Sequence, residues 1–246
     1  MVGMIFAAGL GTRLKPLTDT MPKAMVPING KPLLQWQVEK LRDAGITDIV
    51  VNVHHFPDQI IDAVRANNGW GCNILISDER DELLDTGGGL RKAKELFGNE
   101  PILACNVDIL SNIDISLLSA SCLVHCLGFL VVSQRDTQRY LLFDEENILR
   151  GWTNIATGEV RPASISAKLG GLRKMAFSGM QILSPAIFEH MDKVVAEKGN
   201  KFSLIDLYLS LCDRYIFRAY VPQNYRMMDV GKINQIGEAE LFAQKI

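Results

Sequence analysis

The sequence predicts an α/β fold: a single-domain, Rossmann-like, mixed and mainly parallel sheet with helices on both faces. The first half of the chain alternates short β-rich runs with amphipathic segments, an order typical of a parallel sheet covered on both sides. With 246 residues and 48% hydrophobic content, the chain is also long enough to bury one large core.

The alternating elements follow one another at short intervals. Strands are predicted at 2–7, 49–52, 73–77 and 102–106, and helices at 33–44, 58–66 and 90–97. In the first helix, Leu34, Val38 and Leu41 fall on one face at helical spacing. Gly45 follows where a left-handed carboxyl-terminal cap belongs, so the helix should end there.

The second half of the chain is less regular. We expect an apolar strand ending at residue 183, helices around 186–195 and 203–213, and a strand near 216–221. No internal repeat and no linker rich in Pro, Gly and Ser separates the halves, which favours one domain over 1–246. Asp206 lies in a helical pattern and is interpreted as a structural acid.

Charge and cysteine content restrict the partners. With 26 basic and 28 acidic residues the net charge is −2, so no overall field attracts nucleic acid or an anionic membrane. The odd number of cysteines, with no secretory signal before them, leads us to expect reduced thiols and a cytoplasmic protein. Cys122, His125 and Cys126 have metal-like spacing but no second pair to complete a zinc site.

The segment ISLLSASCLVHCLGFLVVSQ, residues 115–134, contains no Asp, Glu, Lys or Arg and is long enough to cross a bilayer. Serines, a histidine and a glycine interrupt it, and no basic bias flanks it. We therefore expect a short helix followed by a buried strand.

The loop after the first predicted strand combines glycines with fixed positive charges. Gly9 and Gly11 allow backbone N–H groups to approach an oxyanion, and Arg13 and Lys23 add two cations. Leu14 occupies the third glycine position of the dinucleotide fingerprint, and no P-loop motif is present. From these residues alone, the loop is either a phosphate-binding loop or a solvated basic loop.

The segment from Gly9 to Lys23 resembles, without a gap, the signature G-x-G-T-R-L-x-P-L-T-x-x-x-P-K of sugar-1-phosphate nucleotidyltransferases. The resemblance implies that Arg13 contacts the leaving pyrophosphate and that Lys23 stabilises charge at the reacting phosphorus, which makes both catalytic. The nucleotide contacts that it implies in this loop are Ala8, Gly9, Gly11, Thr12, Arg13 and Lys23.

Three consecutive glycines, Gly87 to Gly89, precede the helix predicted at 90–97. A helix needs none of them, so close approach to a flat ligand explains them better than a simple turn. In the family that the chain resembles, this turn lies against the nucleobase, which implies that Gly87 and Gly88 contact the nucleotide. The form Asp-Thr-Gly-Gly-Gly is most similar to the branch that transfers UMP to N-acetylmuramic acid 1-phosphate.

Two acids stand at predicted strand ends. Asp108 follows the strand at 102–106, and Asp229 closes a strand pattern before Gly231. A strand-end Asp is also common as a helix cap, but two together can clamp one Mg²⁺. The family resemblance implies that both hold the catalytic Mg²⁺ and that Asn106 contacts the nucleotide. Val107 departs from the usual glycine of the family motif.

The segment AFSGMQILSP, residues 176–185, resembles the acceptor strand of the family. It implies that Ser178 and Gly179, together with Asp229, contact the sugar phosphate. The two halves of the domain would then be a nucleotide-binding half, 1–112, and a sugar-phosphate-binding half, 113–246.

The reaction implied by the resemblance is Mg²⁺-dependent transfer of a nucleotidyl group from a nucleoside triphosphate to a sugar 1-phosphate. The expected pair is UTP with N-acetylmuramic acid 1-phosphate, in cell-wall recycling. A hexose 1-phosphate, mannose with GTP or glucose with UTP or dTTP, is the alternative. We expect a monomer or small homo-oligomer, with neither nucleic acid nor membrane as a partner.

Two other functional classes stay open. A regulatory subunit could keep the nucleotide pocket without turnover, but Arg13, Lys23, Asp108 and Asp229 together argue against a pure binder. A Rossmann dehydrogenase is disfavoured by Leu14.

Overall fold

A ten-stranded sheet forms the centre of the computed structural model, which describes residues 1–122 and 125–246, with side chains for all of these except 167 and 168. The strands are β1 Val2–Phe6, β2 Pro27–Ile28, β3 Lys31–Pro32, β4 Asp48–Val53, β5 Asn73–Asp78, β6 Ile102–Asn106, β7 Ile109–Ser111, β8 Gly128–Ser133, β9 Arg139–Phe143, β10 Leu149–Asn154, β11 Glu159–Arg161, β12 Arg173–Leu183, β13 Phe217–Tyr220 and β14 Met227–Asp229. The helices are α1 Leu33–Asp43, α2 Pro57–Ala66, α3 Asp85–Lys92, α4 Ile115–Ser121, α5 Met191–Lys198, α6 Leu204–Leu211 and α7 Ile236–Ala243.

The main sheet has the order β11-β10-β9-β12-β6-β1-β4-β5, with β8 beside β12 and β13 beside β8. The β1, β4, β5 and β6 strands are mutually parallel, whereas β12 pairs antiparallel with β6, β8 and β9, and β10 pairs antiparallel with β9 and β11. Only β10 and β12 of the ten strands of this sheet therefore run against the common direction. The prediction of a mixed, mainly parallel sheet is confirmed.

Alternating side chains of the strands build a core on each face of the sheet. In β1, Ile5 belongs to the cluster formed with α1, α2, α4 and α7, whereas Met4 belongs to the cluster formed with α3, α5 and α6. This alternation follows from the two-residue period of a strand, and the near-continuous apolar runs in β1 and β6 reflect burial on both faces. Helices therefore cover both sides, as predicted.

Most predicted elements are confirmed to within a few residues, and Gly45 has the expected left-handed conformation, with φ of 81°. One boundary is wrong. The helix expected at 90–97 begins at Asp85, so the three glycines form part of α3 rather than a turn in front of it. The local pattern does not contain the cause, which is the tertiary contact of two of these glycines with Asn200 and Phe202.

The uncharged segment 115–134 contains α4 followed by the buried strand β8, as expected, while residues 123 and 124 lie outside the described part. Among the described residues, none of the helices combines the length and the apolar character needed to cross a membrane.

A small two-stranded ribbon brings two distant parts of the chain together beyond the carboxyl end of β6. In it, β14 pairs antiparallel with β7, so that Asp229 lies opposite Ile109. The N–H of Val230 also donates to the carbonyl of Asp108 at 2.9 Å. The end of β14 is therefore held beside the residue that follows β6.

The long strand β12 joins the two halves of the sheet. Its pairing with β8 is irregular between Phe177 and Gln181, and Gly179 within this irregularity has φ of 73°. A Cβ at Gly179 would lie 2.8 Å from Cγ1 of Ile109 and 3.2 Å from Nδ2 of Asn106. Glycine thus allows β12 to approach the loop that follows β6.

Asp206 has the structural role expected from the sequence. Its carboxylate and the hydroxyl of Ser203 form a capping box at the start of α6. Asp206 also pairs with Lys198 at 2.7 Å and with Arg161 at 3.0 Å. Desolvation opposes ionisation, but the hydrogen bonds from Lys198 and Ser203 outweigh it and lower the pKa of Asp206 to about 2.

Replacing this acid should destabilise the fold in a pH-dependent way. We expect Asp206→Asn to lower the free energy of unfolding at pH 7 by about 1 to 2 kcal/mol, because the depressed pKa stabilises the folded state above the unfolded value of about 3.9. The difference should shrink as the pH falls towards 2. Urea denaturation of both proteins at several pH values measures it, with Asp213→Asn at an exposed position as the control. An equal loss at pH 7 and at low pH would contradict this explanation.

Candidate active site

A cavity of about 410 Å³ opens at the carboxyl ends of β1, β4 and β6. Ligands of open α/β sheets bind at this edge. The predicted site residues that line it are Ala8, Gly9, Gly11, Thr12, Arg13, Lys23, Asn106 and Asp108. The structure therefore brings the loop after β1 and the residues after β6 to one site.

The two glycines of the loop after β1 have different roles. A Cβ at Gly9 would meet no atom within 4 Å, so this position leaves open space beside the backbone. Gly11 has φ of 63°, and a Cβ there would lie 2.8 Å from Cγ2 of Thr18 and 3.0 Å from Cβ of Lys23. Gly9 provides room for a ligand, whereas Gly11 lets the loop pack against Lys23.

Lys23 is the buried cation of the cavity. It is only 8% exposed and forms an ion pair with Asp108. Asp108 follows β6 directly, and Lys23 begins a short turn in the loop after β1. A buried lysine requires a partner of opposite charge, and here the partner is one of the two acids predicted at strand ends.

Asp229 and Arg13 meet at Gly231. A Cβ at Gly231 would lie 2.8 Å from Oδ1 of Asp229 and 3.1 Å from Nη2 of Arg13, so glycine permits both side chains to occupy this place. Asp229 is solvent-accessible, but nearby protein atoms desolvate its carboxylate, and this effect together with the charge of Asp108 raises its pKa. Lys23 and Arg13 oppose the shift without cancelling it.

These contacts place both acids beside both cations. The pKa of Asp229 is raised first by desolvation and then by the charge of Asp108, which the two cations do not fully compensate. In the described residues, no cluster of three or more His, Cys, Asp or Glu side chains is arranged to hold a metal ion. A metal bound here would have to rely on the carboxylates of Asp108 and Asp229 and on oxygens from a ligand.

Gly87 and Gly88 lie against another segment of the protein, and the nucleotide contact expected of them stays a prediction. Both are buried in α3, and Cβ atoms at these positions would collide with Phe202 and with the carbonyl of Asn200, respectively. Their lack of side chains accommodates the protein's own backbone. On this side the cavity is lined by Asp85 and Thr86.

Ser178, which is expected to contact the acceptor, lies inside the protein. Its side chain is fully buried, and its hydroxyl lies 3.3 Å from the hydroxyl of Ser133. This hydroxyl is therefore enclosed in the protein. Gly179 instead shapes the backbone next to Asn106, as described for β12.

The residues that hold the loop after β1 were not predicted from the sequence. The Oδ1 atom of Asn52 accepts from the N–H of Ala7 at 2.8 Å, and its Nδ2 donates to Glu79 at 2.7 Å. Glu79 is completely buried, and burial raises its pKa. The sequence did contain a signal for Asn52, because it is a polar residue at the end of the strand predicted at 49–52. Asn106 was predicted from the same feature at the end of the strand predicted at 102–106.

Two basic residues from the second half were also missed. Lys201 lines the cavity. Arg135 follows β8, donates to the carbonyl of Phe177 at 2.9 Å, and lowers the pKa of Asp229 through its charge. Neither belongs to a recognisable motif, because each reaches the site through tertiary packing.

The family model described as "Nucleotidyl transferase" matches residues 2–120. The match is confined to the amino-terminal half of the chain. Within this half lie the loop after β1, the start of α3, and Asp108, whereas Asp229, Arg135 and Lys201 come from the remainder.

Three relatives illustrate the similarity. N-acetylmuramate alpha-1-phosphate uridylyltransferase of Neisseria meningitidis is 44% identical over 114 residues, 46% of this chain and 49% of the relative. The corresponding protein of Caulobacter vibrioides is 43% identical over 44% of this chain and 45% of its own length. The alignments thus span about half the length of these curated relatives. UTP–glucose-1-phosphate uridylyltransferase of Synechocystis is 29% identical over 97% of this chain and 62% of its length.

Solved structures agree with the fold beyond the segment that the family model matches. HddC from Yersinia pseudotuberculosis, complexed with GMP-PN, superimposes with a TM-score of 0.75 at 25% identity, covering 99% of this chain and 100% of that one. A UDP-glucose pyrophosphorylase complexed with UDP-glucose gives 0.76 at 21% identity, covering 100% and 99%. At that identity the second similarity establishes the fold alone.

The raised pKa of Asp229 predicts a gain in stability when its charge is removed. In EDTA at pH 7, Asp229→Asn should have a higher melting temperature than the wild type. A raised carboxyl pKa destabilises the folded state above the unfolded value of about 3.9, so the gain should disappear below that pH, where both states are protonated. Thermal melts at pH 7 and at low pH test this, with Asp213→Asn as the control. A lower melting temperature for Asp229→Asn at pH 7 would contradict it.

Proposed function

We propose that the protein transfers a nucleotidyl group from a nucleoside triphosphate to a sugar 1-phosphate, releasing pyrophosphate and forming a nucleoside diphosphate sugar. The observation that carries the proposal is the convergence of Arg13, Lys23, Asp108 and Asp229 beside the open backbone at Gly9. Two cations next to two acids suit a reaction that moves phosphoryl groups with a metal ion. The family match over 2–120 supports the same chemistry.

The donor set fits Mg²⁺. Asp108 and Asp229 offer hard oxygen ligands, and Mg²⁺ is commonly bound by one or two carboxylates together with substrate phosphates. Desolvation and the neighbouring charge of Asp108 both raise the pKa of Asp229, and a bound cation would favour its ionised form. Such an ion would neutralise charge on the phosphates, and Asp108 and Asp229 are the residues that would hold it.

The protein's own cations would act on the phosphates. Lys23, buried beside Asp108, would donate to the phosphate being transferred, and exposed Arg13 would donate to the leaving pyrophosphate. Fixed charges in a partly desolvated cavity stabilise the transition state without reorganisation. The attacking oxygen belongs to a phosphate that is already anionic near neutral pH, so this mechanism requires no general base from the protein.

For the substrates, we propose UTP and N-acetylmuramic acid 1-phosphate. The names of the Neisseria and Caulobacter relatives support this pair. Arg135 and Lys174 provide a further argument, because they line a cleft of about 480 Å³, and the charge of Arg135 reaches Asp229. A muramic sugar carries a carboxylate that glucose and mannose lack, and the two cations of this cleft, which Asp136 also lines, suit such a group. This reaction would place the protein in cytoplasmic cell-wall recycling.

Hexose 1-phosphates are the second candidate acceptors. Relatives named for glucose 1-phosphate with UTP and mannose 1-phosphate with guanyl transfer also match the chain. A non-catalytic regulatory subunit is a weaker alternative, because it would have little use for Asp108 and Asp229 beside two cations.

Turnover should depend on both acids. We expect pyrophosphate release in Mg²⁺ with one strongly preferred pair when UTP, GTP, dTTP, CTP and ATP are crossed with the 1-phosphates of N-acetylmuramic acid, N-acetylglucosamine, glucose and mannose. Asp108→Asn or Asp229→Asn should lower kcat by roughly a hundredfold or more, because each removes a metal ligand. Asp213→Asn is the matched control.

Near-normal kcat in both acid variants would refute the metal assignment. If the wild type released no pyrophosphate with any pair while binding nucleotide in a calorimeter, the regulatory subunit would become the better proposal.

Acceptor choice should depend on Arg135. We expect Arg135→Gln to raise KM for N-acetylmuramic acid 1-phosphate about tenfold and to change KM for N-acetylglucosamine 1-phosphate much less, since only the first carries the extra carboxylate. Steady-state kinetics with both acceptors measure the ratio. The exposed Arg214 provides a control as Arg214→Gln. An equal increase for both acceptors would instead indicate a contact with the shared phosphate.

A further inference from the structure

The glycine run in α3 makes room for a segment of the second half of the chain. The N–H groups of Gly87 and Gly88 both donate to the carbonyl of Phe202, at 2.9 and 3.1 Å. In return, the N–H of Phe202 donates to the carbonyl of Leu84 at 3.2 Å. Side chains on the glycines would push this segment away, because their Cβ atoms would overlap Phe202 and the carbonyl of Asn200.

These bonds fix the position of Lys201, which lies between the two residues that contact the glycines. On its carboxyl-terminal side, the N–H of Leu204 donates to the hydroxyl of Thr86 at 3.0 Å. Lys201 itself is exposed and lines the same cavity as the loop after β1. Hydrogen bonds thus fix the backbone at Lys201, and its positively charged side chain extends from there at the cavity.

The lining of the cavity separates into two groups. Arg13, Lys23 and Asp108 supply the cations and acid suited to phosphates and a metal ion. On the α3 side, Asp85 and Lys201 lie with apolar Leu83. Because a triphosphate would occupy the first group, the base of the same nucleotide falls to the second.

We propose that Lys201 and Asp85 select nucleotides whose base has a carbonyl next to a ring N–H, as in uracil, thymine and guanine. The ammonium group of Lys201 can only donate, and it would donate to the carbonyl oxygen. One carboxylate oxygen of Asp85 accepts from the N–H of Thr86 at 2.6 Å, and the other would accept from the ring N–H. This inference rests on the proposed function.

Cytosine and adenine present the opposite pattern. Each has an amino group next to an unprotonated ring nitrogen, so a donor would face Lys201 and an acceptor would face Asp85. Mispaired polar groups in a binding site reduce affinity more than a missing apolar contact does. The pair would therefore disfavour CTP and ATP, and the choice among UTP, dTTP and GTP would rest on other contacts.

The test is the nucleotide preference of Lys201→Met. We expect the ratio of kcat/KM for UTP to that for CTP to fall at least tenfold, through KM rather than kcat. Lys201→Arg keeps a donor and should retain part of the preference. Lys193→Met, at an exposed position on α5, is the control and should leave the ratio unchanged. An equal loss with UTP, GTP, CTP and ATP would assign Lys201 to the phosphates and overturn the proposal, as would no change.

Calorimetry without an acceptor separates this inference from the proposed function. The wild type should bind UTP at least tenfold more tightly than CTP, and Lys201→Met should reduce that difference. If the wild type bound both equally, base selection by Lys201 and Asp85 would be refuted. If it preferred UTP in a Lys201-dependent way but released no pyrophosphate with any acceptor, only the proposed catalysis would fail.

Discussion

The site depends on the proximity of two carboxylates that come from residues more than a hundred positions apart. The ribbon of β7 and β14 places Asp229 beside Asp108, and Lys23 pairs with Asp108 from the loop after β1. One buried cation cannot neutralise both acids, and desolvation together with the charge of Asp108 raises the pKa of Asp229. The folded state thus contains an unfavourable electrostatic interaction at the carboxyl ends of the strands. A metal ion or a phosphate-bound cation can offset it there.

The second constraint is that separate segments of the protein must approach each other closely. Glycines make this possible at several places. Gly231 lets Arg13 and Asp229 meet, whereas Gly87 and Gly88 let the backbone near Phe202 pack against α3. Each contact joins the amino-terminal half to the remainder of the chain. The cavity is therefore a product of both halves, although the family match covers only 2–120.

The sequence predicted the parts of the site that are encoded locally. Strand alternation, the loop after β1, and the acids after β6 and β14 follow from short patterns, and the structure places Lys23, Asp108 and Asp229 together. For Gly87 and Gly88 the sequence indicated that something comes close without indicating what: the structure shows the segment at Asn200 and Phe202, and the expected nucleotide contact stays a prediction. Lys201 and Arg135 were not predicted, because nothing in the local sequence distinguishes a single basic residue in a loop from other surface residues. Only tertiary packing brings them to the site.

The support beneath the loop after β1 shows how a functional segment can be held without rigid secondary structure of its own. Asn52 accepts from the N–H of Ala7 and donates to Glu79, whose buried carboxyl also accepts from the N–H of Leu84. A buried acid with a raised pKa takes up a proton more readily, which lowers the cost of keeping it there. Polar groups connected in this way fix geometry even where they add little net stability, because leaving any one of them unpaired would be costly. The position of the loop after β1 is thus coupled to β4 and to the residues that lead into α3, so the two sides of the cavity share one support.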